Sequence, residues 1–232
     1  RIWIDGFVVC RFQVTCCDYL QFLNDLAPSE ARKFQPVAEG WGEGEGAIFL
    51  YENNRFQLPT SSYEREQTWE LSWPATMLDW SSMVSFSEWR STKTGRPWRL
   101  PHGLEWEKAA RGVDGRFFPW GNFAESTWAN SANARESQPG RLPVDSYPLD
   151  VSPYGVRGMA GNVRDWCINA YSRDGVPDGS RLTVDPPAEA AYRMMRGGSW
   201  ASKIDLCRLA SRFADPPSTR FSVTGFRLVR PI

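Results

Sequence analysis

The sequence predicts an α+β fold: one loop-rich domain of short strands and a few helices joined by long turn-forming stretches. Three observations carry this. The 232 residues include 12 Trp, 13 Phe and 7 Tyr beside 19 Gly and 17 Pro. Disordered chains lack aromatics, and frequent Gly and Pro break regular elements, so the large rings are left to anchor loops. Helical periodicity is confined to a few short windows. No internal repeat, low-complexity run or linker interrupts the chain, so residues 1–232 read as a single domain.

The elements follow in order. RIWIDGFVVCRFQVT alternates apolar and polar residues and predicts a bent strand or strand pair. Thr15 is placed to cap a helix over CCDYLQFLNDL, where Tyr19, Phe22, Leu23 and Leu26 recur at helical spacing. Gly, Glu and Asn punctuate residues 40–70, predicting hairpins. Met83, Val84, Phe86 and Trp89 share a face of a second helix over Leu78 to Thr94, with Gly95 as its stop. RLPHGLEWEKAARG predicts a strand, a turn and a third short helix, and His102 sits at that turn as a packing or loop residue. Beyond it, FFPWGN, PVDSYP, SPYGVRGMAGN and PDGSR are turns between brief strands, and RGGSW, CRLASRF and GFRLVRPI are strands around a long loop.

Composition excludes several functions. With 27 basic against 27 acidic residues the chain has no net field for nucleic acid or anionic membranes. No apolar run approaches the roughly 20 residues that span a bilayer. A single His, His102, removes mechanisms that need two or three imidazole ligands. Cys10, Cys16, Cys17, Cys167 and Cys207 are odd in number, lack a C-x-x-C spacing and include an adjacent pair, which argues against zinc and against a dense disulfide framework. They read as buried free thiols. Arg1 in place of Met predicts a segment of a longer polypeptide.

RLPHGLEWEKAARG, PWGN, PVDSYP, SPYGVRGMAGNVRDW, RGGSW and GFRLVR resemble, in order and spacing, the formylglycine-generating enzyme (sulfatase-modifying factor) family over essentially the whole chain. The resemblance implies a C-type-lectin-like fold with two main helices, small twisted antiparallel sheets and bound calcium. Active members hold copper on two cysteines that follow Gly-Gly-Ser. Here Gly197-Gly198-Ser199 is followed by Trp200-Ala201-Ser202-Lys203-Ile204-Asp205-Leu206. Ser202 takes the first cysteine's place and the second is missing. Cys207 lies too close to Arg208-x-x-x-Arg212 to substitute. A hydroxyl is a poor ligand for Cu(I), which favours thiolates. A related branch holds iron on three His, which one His cannot supply. The resemblance to these branches therefore implies neither copper, nor iron, nor catalysis.

Calcium is the cofactor that the resemblance still implies, at one or two sites. One would use Asn130, the Ser131 carbonyl, Glu136 and the Gln138 carbonyl, with Asn133 as a rival for Asn130. The other would use the Gly161 and Val163 carbonyls and the Asp165 carboxylate. Gly158 replaces the family's usual side-chain ligand there, and Asp165 is as well explained by capping or by pairing with Arg164 or Arg157.

Residues 201–224, between RGGSW and GFRLVR, are the expected binding face for a protein or small-molecule ligand. Trp200, Ala201, Ser202, Lys203, Ile204, Asp205, Phe213, Asp215, Phe221 and Val223 are its candidate contact residues, while Arg208, Ala210 and Arg212 match an internal family pattern and would hold the loop ends. Arg164, Arg196, Arg208 and Arg212 are expected to brace loop carbonyls or pair with acids. Trp166 and Trp200 are the aromatics nearest the motifs.

The arrangement is similar to the variable proteins of diversity-generating retroelements, in which Asn codons are rewritten and Lys, Glu, Gln, Met and Trp cannot result. Those five types make up about 18% of the chain, so about four are expected in 24 residues; Lys203 alone is present, and it cannot itself be a rewritten site. SPYGVRGMAGNVRDWC is also similar to sensor domains attached to bacterial serine/threonine kinases, which implies a fixed-ligand domain with a signalling enzyme upstream.

Overall fold

A computed structural model describes residues 2–38, 46–59, 69–135, 139–173, 179–184 and 189–232. Strand β1 (Phe7–Val9) leads to helix α1 (Cys16–Asp25). Thr15 starts that helix by a reciprocal cap: its hydroxyl accepts the Asp18 N–H, and the Asp18 carboxylate accepts the Thr15 N–H. Helix α2 (Pro28–Phe34) follows at once. It was not anticipated from periodicity, because its seven residues bury only Ala31. Its signals are Pro28 in the first turn, Glu30 behind it and Arg32 with Lys33 in the last turn, the order that suits the helix dipole.

The expected hairpins are present. Strands β2 (Val37–Ala38) and β3 (Gly46–Ala47) pair antiparallel, as do β4 (Leu50–Glu52) and β5 (Arg55–Gln57). The two residues between β4 and β5, Asn53 and Asn54, have φ of 51° and 60°, the left-handed turn geometry that Asn tolerates. Helix α3 (Trp80–Thr94) is capped by the Asp79 carboxylate and stopped at Gly95, φ 65°. Helix α4 (Gly103–Arg111) is the third expected helix.

The last third supplies the main sheet. Strands β6 (Arg164–Ala170), β7 (Arg193–Arg196), β8 (Arg212–Asp215) and β9 (Thr224–Gly225) are arranged β8-β7-β6-β9. The first two pairings are antiparallel, but β6–β9 runs parallel, a departure from the all-antiparallel expectation. It arises because the chain returns to β6 through the loop 216–223 rather than by a hairpin. Strand β10 (Val229–Pro231) pairs antiparallel with β1, Val9 opposite Val229, so the two ends of the described chain close on each other.

The largest apolar cluster lies between α1, α3 and the sheet. Tyr19 stacks on Phe86 at 5.6 Å, and Phe226 meets Phe86 edge-on at 5.3 Å. Trp166 is fully buried there, which removes it from any ligand surface. A second cluster gathers Trp106, Met159, Cys167 and Leu209, and a third Phe118, Ala129, Ala160 and Cys207. All five cysteines are free thiols; Cys16, Cys167 and Cys207 are buried, while Cys10 and Cys17 are half-buried.

His102 has a sharper role than packing. Its Nδ1 accepts the Leu104 N–H at 3.1 Å, and the Glu105 carboxylate returns the bond to the His102 N–H at 2.8 Å, so the only His caps α4. Burial pushes its pKa down from 6.5 to about 4, with Glu105 opposing and Arg99 and Arg196 reinforcing the shift. A base whose folded pKa is depressed adds stability that is complete above pH 6.5 and lost as pH falls towards 4. Urea unfolding at pH 7.5 and 4.5 should therefore show wild type losing about 2–3 kcal/mol more than His102→Asn, a cap that carries no proton. Equal losses in the two proteins would sink this assignment.

Candidate functional site

The Gly-Gly-Ser motif is fixed by close packing. A Cβ on Gly198 would meet the Ala160 carbonyl and the Cys207 Sγ at 2.4 Å, so only glycine fits. The loop that follows is held from three sides. Trp200 N–H donates to the Asn162 carbonyl at 2.9 Å, Ala132 N–H donates to the Ser202 carbonyl at 2.9 Å, and residues 204–207 close a 3-10 turn. The far end is gathered by Arg196, 1% exposed, which donates to the Leu209, Ala210 and Ser211 carbonyls and pairs with Glu107 at 2.5 Å. Arg208 and Arg212, expected to do this, instead lie exposed over Phe117 and Tyr171, and Arg212 donates to the Ser172 carbonyl.

The candidate contact residues divide by burial. Ala201, Lys203, Asp205 and Phe221 are exposed; Trp200, Ile204, Phe213, Asp215 and Val223 are half-buried. Ile204 packs against the Phe118 cluster, away from Phe213, which packs on the α1–α3 core. Ser202 is 2% exposed and turned inward. Its Oγ accepts the Arg164 Nη2 at 2.8 Å and the Ser199 N–H at 3.1 Å, and lies 2.9 Å from the Ser199 Oγ. Ser202 is thus part of the loop's framework and presents nothing to a ligand. Cys207 is buried behind it with its Sγ 3.5 Å from the Lys203 carbonyl, and burial pushes the thiol up to about 12.

Arg164 is the residue that the sequence reading misplaced. It was expected to pair with an acid or brace a loop carbonyl, yet among the described residues no carboxylate oxygen lies within 4.0 Å of its guanidinium and its hydrogen bond goes to the Ser202 hydroxyl. The group lies over the Phe213 ring at 4.1 Å, and burial lowers its pKa, with Cys207 and Asp215 opposing. Leu206, 46% exposed, also belongs to this face and was not singled out.

The residues implied for calcium separate into two cases. Asn130 and Ser131 are buried, and Asn130 Nδ2 donates to the Gly140 carbonyl at 2.9 Å and to Asn162 Oδ1 at 3.0 Å. That leaves Asn130 Oδ1 as an acceptor, which suits a hard cation. Glu136 and Gln138, assigned to the same site, lie outside the described residues. Gly161 packs so tightly on Asn130 that a Cβ would sit 2.6 Å from its carbonyl oxygen.

Of the Asp165 carboxylate implied for the second site, Oδ1 is buried without a partner and Oδ2 is engaged. Asp165 Oδ2 takes the Arg227 Nε at 2.6 Å and the Trp106 Nε1 at 2.7 Å, so a dication there would meet a guanidinium. The partner of Asp165 is therefore Arg227, neither Arg164 nor Arg157. Asp150, missed in the sequence, does the work of an anion in this loop. It accepts the N–H groups of Met159, Ala160 and Gly161, while burial pushes its carboxyl up to about 6 against their pull and that of Arg227.

Residues 1–232 match the sulfatase-modifying factor enzyme 1-like domain throughout. The chain belongs to this family. Its relatives include the serine/threonine-protein kinase pkn1 of Chlamydia pneumoniae, 35% identical over 162 residues, which are 68% of this chain and 24% of the kinase. The formylglycine-generating enzyme of Thermomonospora curvata is 30% identical over 66% of this chain and 54% of that enzyme. The inactive C-alpha-formylglycine-generating enzyme 2 of Mus musculus is 28% identical over 98% of this chain and 76% of its own length. The family thus holds both active and inactive members, and the match spans about a quarter of the kinase.

Two solved structures share the fold. PvdO from Pseudomonas aeruginosa aligns with a TM-score of 0.73 at 24% identity, covering 97% of this chain and 80% of that one. Treponema denticola variable protein 1 aligns at 0.66 and 19% identity, covering 100% and 86%. The fold is accordingly α+β and C-type-lectin-like, of the formylglycine-generating-enzyme type.

Proposed function

We propose that this domain is a non-catalytic binding module whose ligand surface is the 201–224 face, with Trp200 at its edge. The observation that carries the reading is the burial of Ser202 where the resemblance expects the first copper cysteine. Its hydroxyl is committed to Ser199 and Arg164, and the neighbouring thiol, Cys207, is buried and protonated. Soft metals are held by accessible thiolates. Around this framework, Lys203, Asp205 and Phe221 project into solvent from backbone held by Asn162, Arg196 and the sheet, a rigid scaffold carrying variable side chains. Cu(I) titrated against a chromophoric chelator should stay with the chelator. Capture of one equivalent by the protein would restore the oxidase reading.

A second reading, a fixed-ligand sensor carried by a signalling kinase, is favoured by the 35% identity to pkn1. The likeness to the Treponema variable protein instead supports a face that changes between cells. Deep sequencing of the gene across a growing population separates them. We expect substitutions concentrated in codons 201–224 at adenine-derived positions; a loop as constant as the core would establish the fixed sensor.

Calcium at Asn130, the Ser131 carbonyl, Glu136 and Gln138 is part of the same proposal, as a brace beneath the 201–203 backbone that Ala132 holds. A ligand bound only by the native state stabilises it by about 2.7 kcal/mol at a hundredfold excess over Kd. For a domain of this size that is roughly a 5–10 °C rise in Tm. Calcium added to chelator-treated protein should produce such a rise, and Asn130→Ala should abolish it. No change in wild-type Tm would overturn the site.

A further inference from the structure

Arg164, Phe213 and Asp215 lie on one face of the main sheet. Trp166 is paired with Met195 and Met195 with Phe213, and alternate residues along a strand share a face, so Arg164 falls in with Trp166, and Asp215 with Phe213. Phe213 and Asp215 are two residues apart on β8, about 7 Å along the strand. The Phe213 ring takes the Arg164 guanidinium at 4.1 Å, which sets Asp215 one side chain further on.

The two charges are close without touching. Each acts on the other electrostatically, yet no nitrogen of Arg164 comes within 4.0 Å of an Asp215 oxygen, and no side-chain hydrogen bond to Asp215 exists among the described residues. Arg164 Nη2 is bonded to Ser202 alone, and its Nε is buried with no partner. Arg196 and Arg227 each reach a carboxylate and at least two carbonyls, whereas Arg164 reaches neither among the described residues. Both residues are half-buried, and so are Trp200 and Val223 beside them. Val223 accepts the Arg164 N–H, and the Trp200 indole donates to the Ser222 carbonyl.

A half-buried cation and anion held apart are matched by a ligand that offers the opposite charge to each. A dianion such as phosphate would meet Asp215, and a metal ion would meet Arg164. A planar guanidinium suits a carboxylate, and a carboxylate suits an ammonium. We propose that the surface between Arg164 and Asp215 binds a free α-amino acid, carboxylate on Arg164 and ammonium on Asp215, beside the Phe213 ring. This rests on the reading of residues 201–224 as the binding face and names the ligand class for it.

The test is binding of the standard L-amino acids one at a time, followed by amide chemical shifts of the labelled protein. The best binder is then compared with its des-amino acid and its decarboxylated amine. At least one amino acid should bind, moving the resonances of residues 164 and 213–215, with both analogues at least tenfold weaker. Asp215→Asn, on a half-buried side chain, should erase the preference for the amino acid over the des-amino acid while leaving the latter's affinity within about threefold. Arg164→Met should abolish binding of both.

The inference is overturned if no amino acid binds at millimolar concentration, or if Asp215→Asn leaves the preference intact. Monosaccharides, nucleotides and unrelated peptides belong in the same screen. One of these moving the 201–224 resonances while no amino acid does would defeat this inference and leave the binding face standing. Silence from every class would defeat both.

Discussion

Much of this fold hangs on one buried ion pair. Arg227 and Asp165 are 0% exposed, 2.6 Å apart, and joined by the Trp106 indole. The remaining guanidinium nitrogens donate to the carbonyls of Arg11, Arg157 and Gly158. One side chain near the C-terminus thereby ties together the N-terminal segment, the turn 157–158, the start of β6 and, through Trp106, helix α4. Buried pairs gain little over an apolar substitute, but losing one partner strands a charge and is severely destabilising. The pair is therefore better understood as specifying which loops meet than as a source of net stability.

The loops around the site use the same principle with neutral partners. Asn162, φ 70°, accepts from Asn130 and Leu142, donates to the Leu142 carbonyl, and gives its own carbonyl to Trp200. Irregular backbone has no ladder to satisfy its polar groups, so amide and guanidinium side chains supply what strands and helices supply elsewhere. Asp150 does so for three consecutive N–H groups, and Arg196 for three consecutive carbonyls. The result is a loop region as defined in its backbone as a sheet, with few of its outward side chains involved in holding it.

That division explains what the sequence could and could not reveal. Helix α1 was legible because Thr15 and the Tyr19–Phe22–Leu23 spacing agree, and α3 because Gly95 ends a clear apolar face. Helix α2 was missed because it buries a single Ala and has no periodicity to read. In the site, the Gly-Gly-Ser motif and the identities of the residues that follow it were readable directly. The direction of Ser202 was not, since a hydroxyl faces ligand or framework according to partners as distant in sequence as Arg164. The pairing of Asp165 was unreadable for the same reason: 62 residues separate it from Arg227, while Arg164 and Arg157 lie nearby in sequence.

A hydroxyl at position 202 sets how the neighbouring framework is held. Ser202 is satisfied by Ser199 and one arginine. The hydroxyl accepts from one Nη group of that arginine, a single neutral partner where a buried cation is better served by several. Arg164 is thereby held at the edge of the sheet by one hydroxyl and one ring, with no carboxylate within 4.0 Å among the described residues. On this argument the charge left at the edge of the sheet follows from how Arg164 is held: by a hydroxyl that accepts one bond from it and a ring that accepts none.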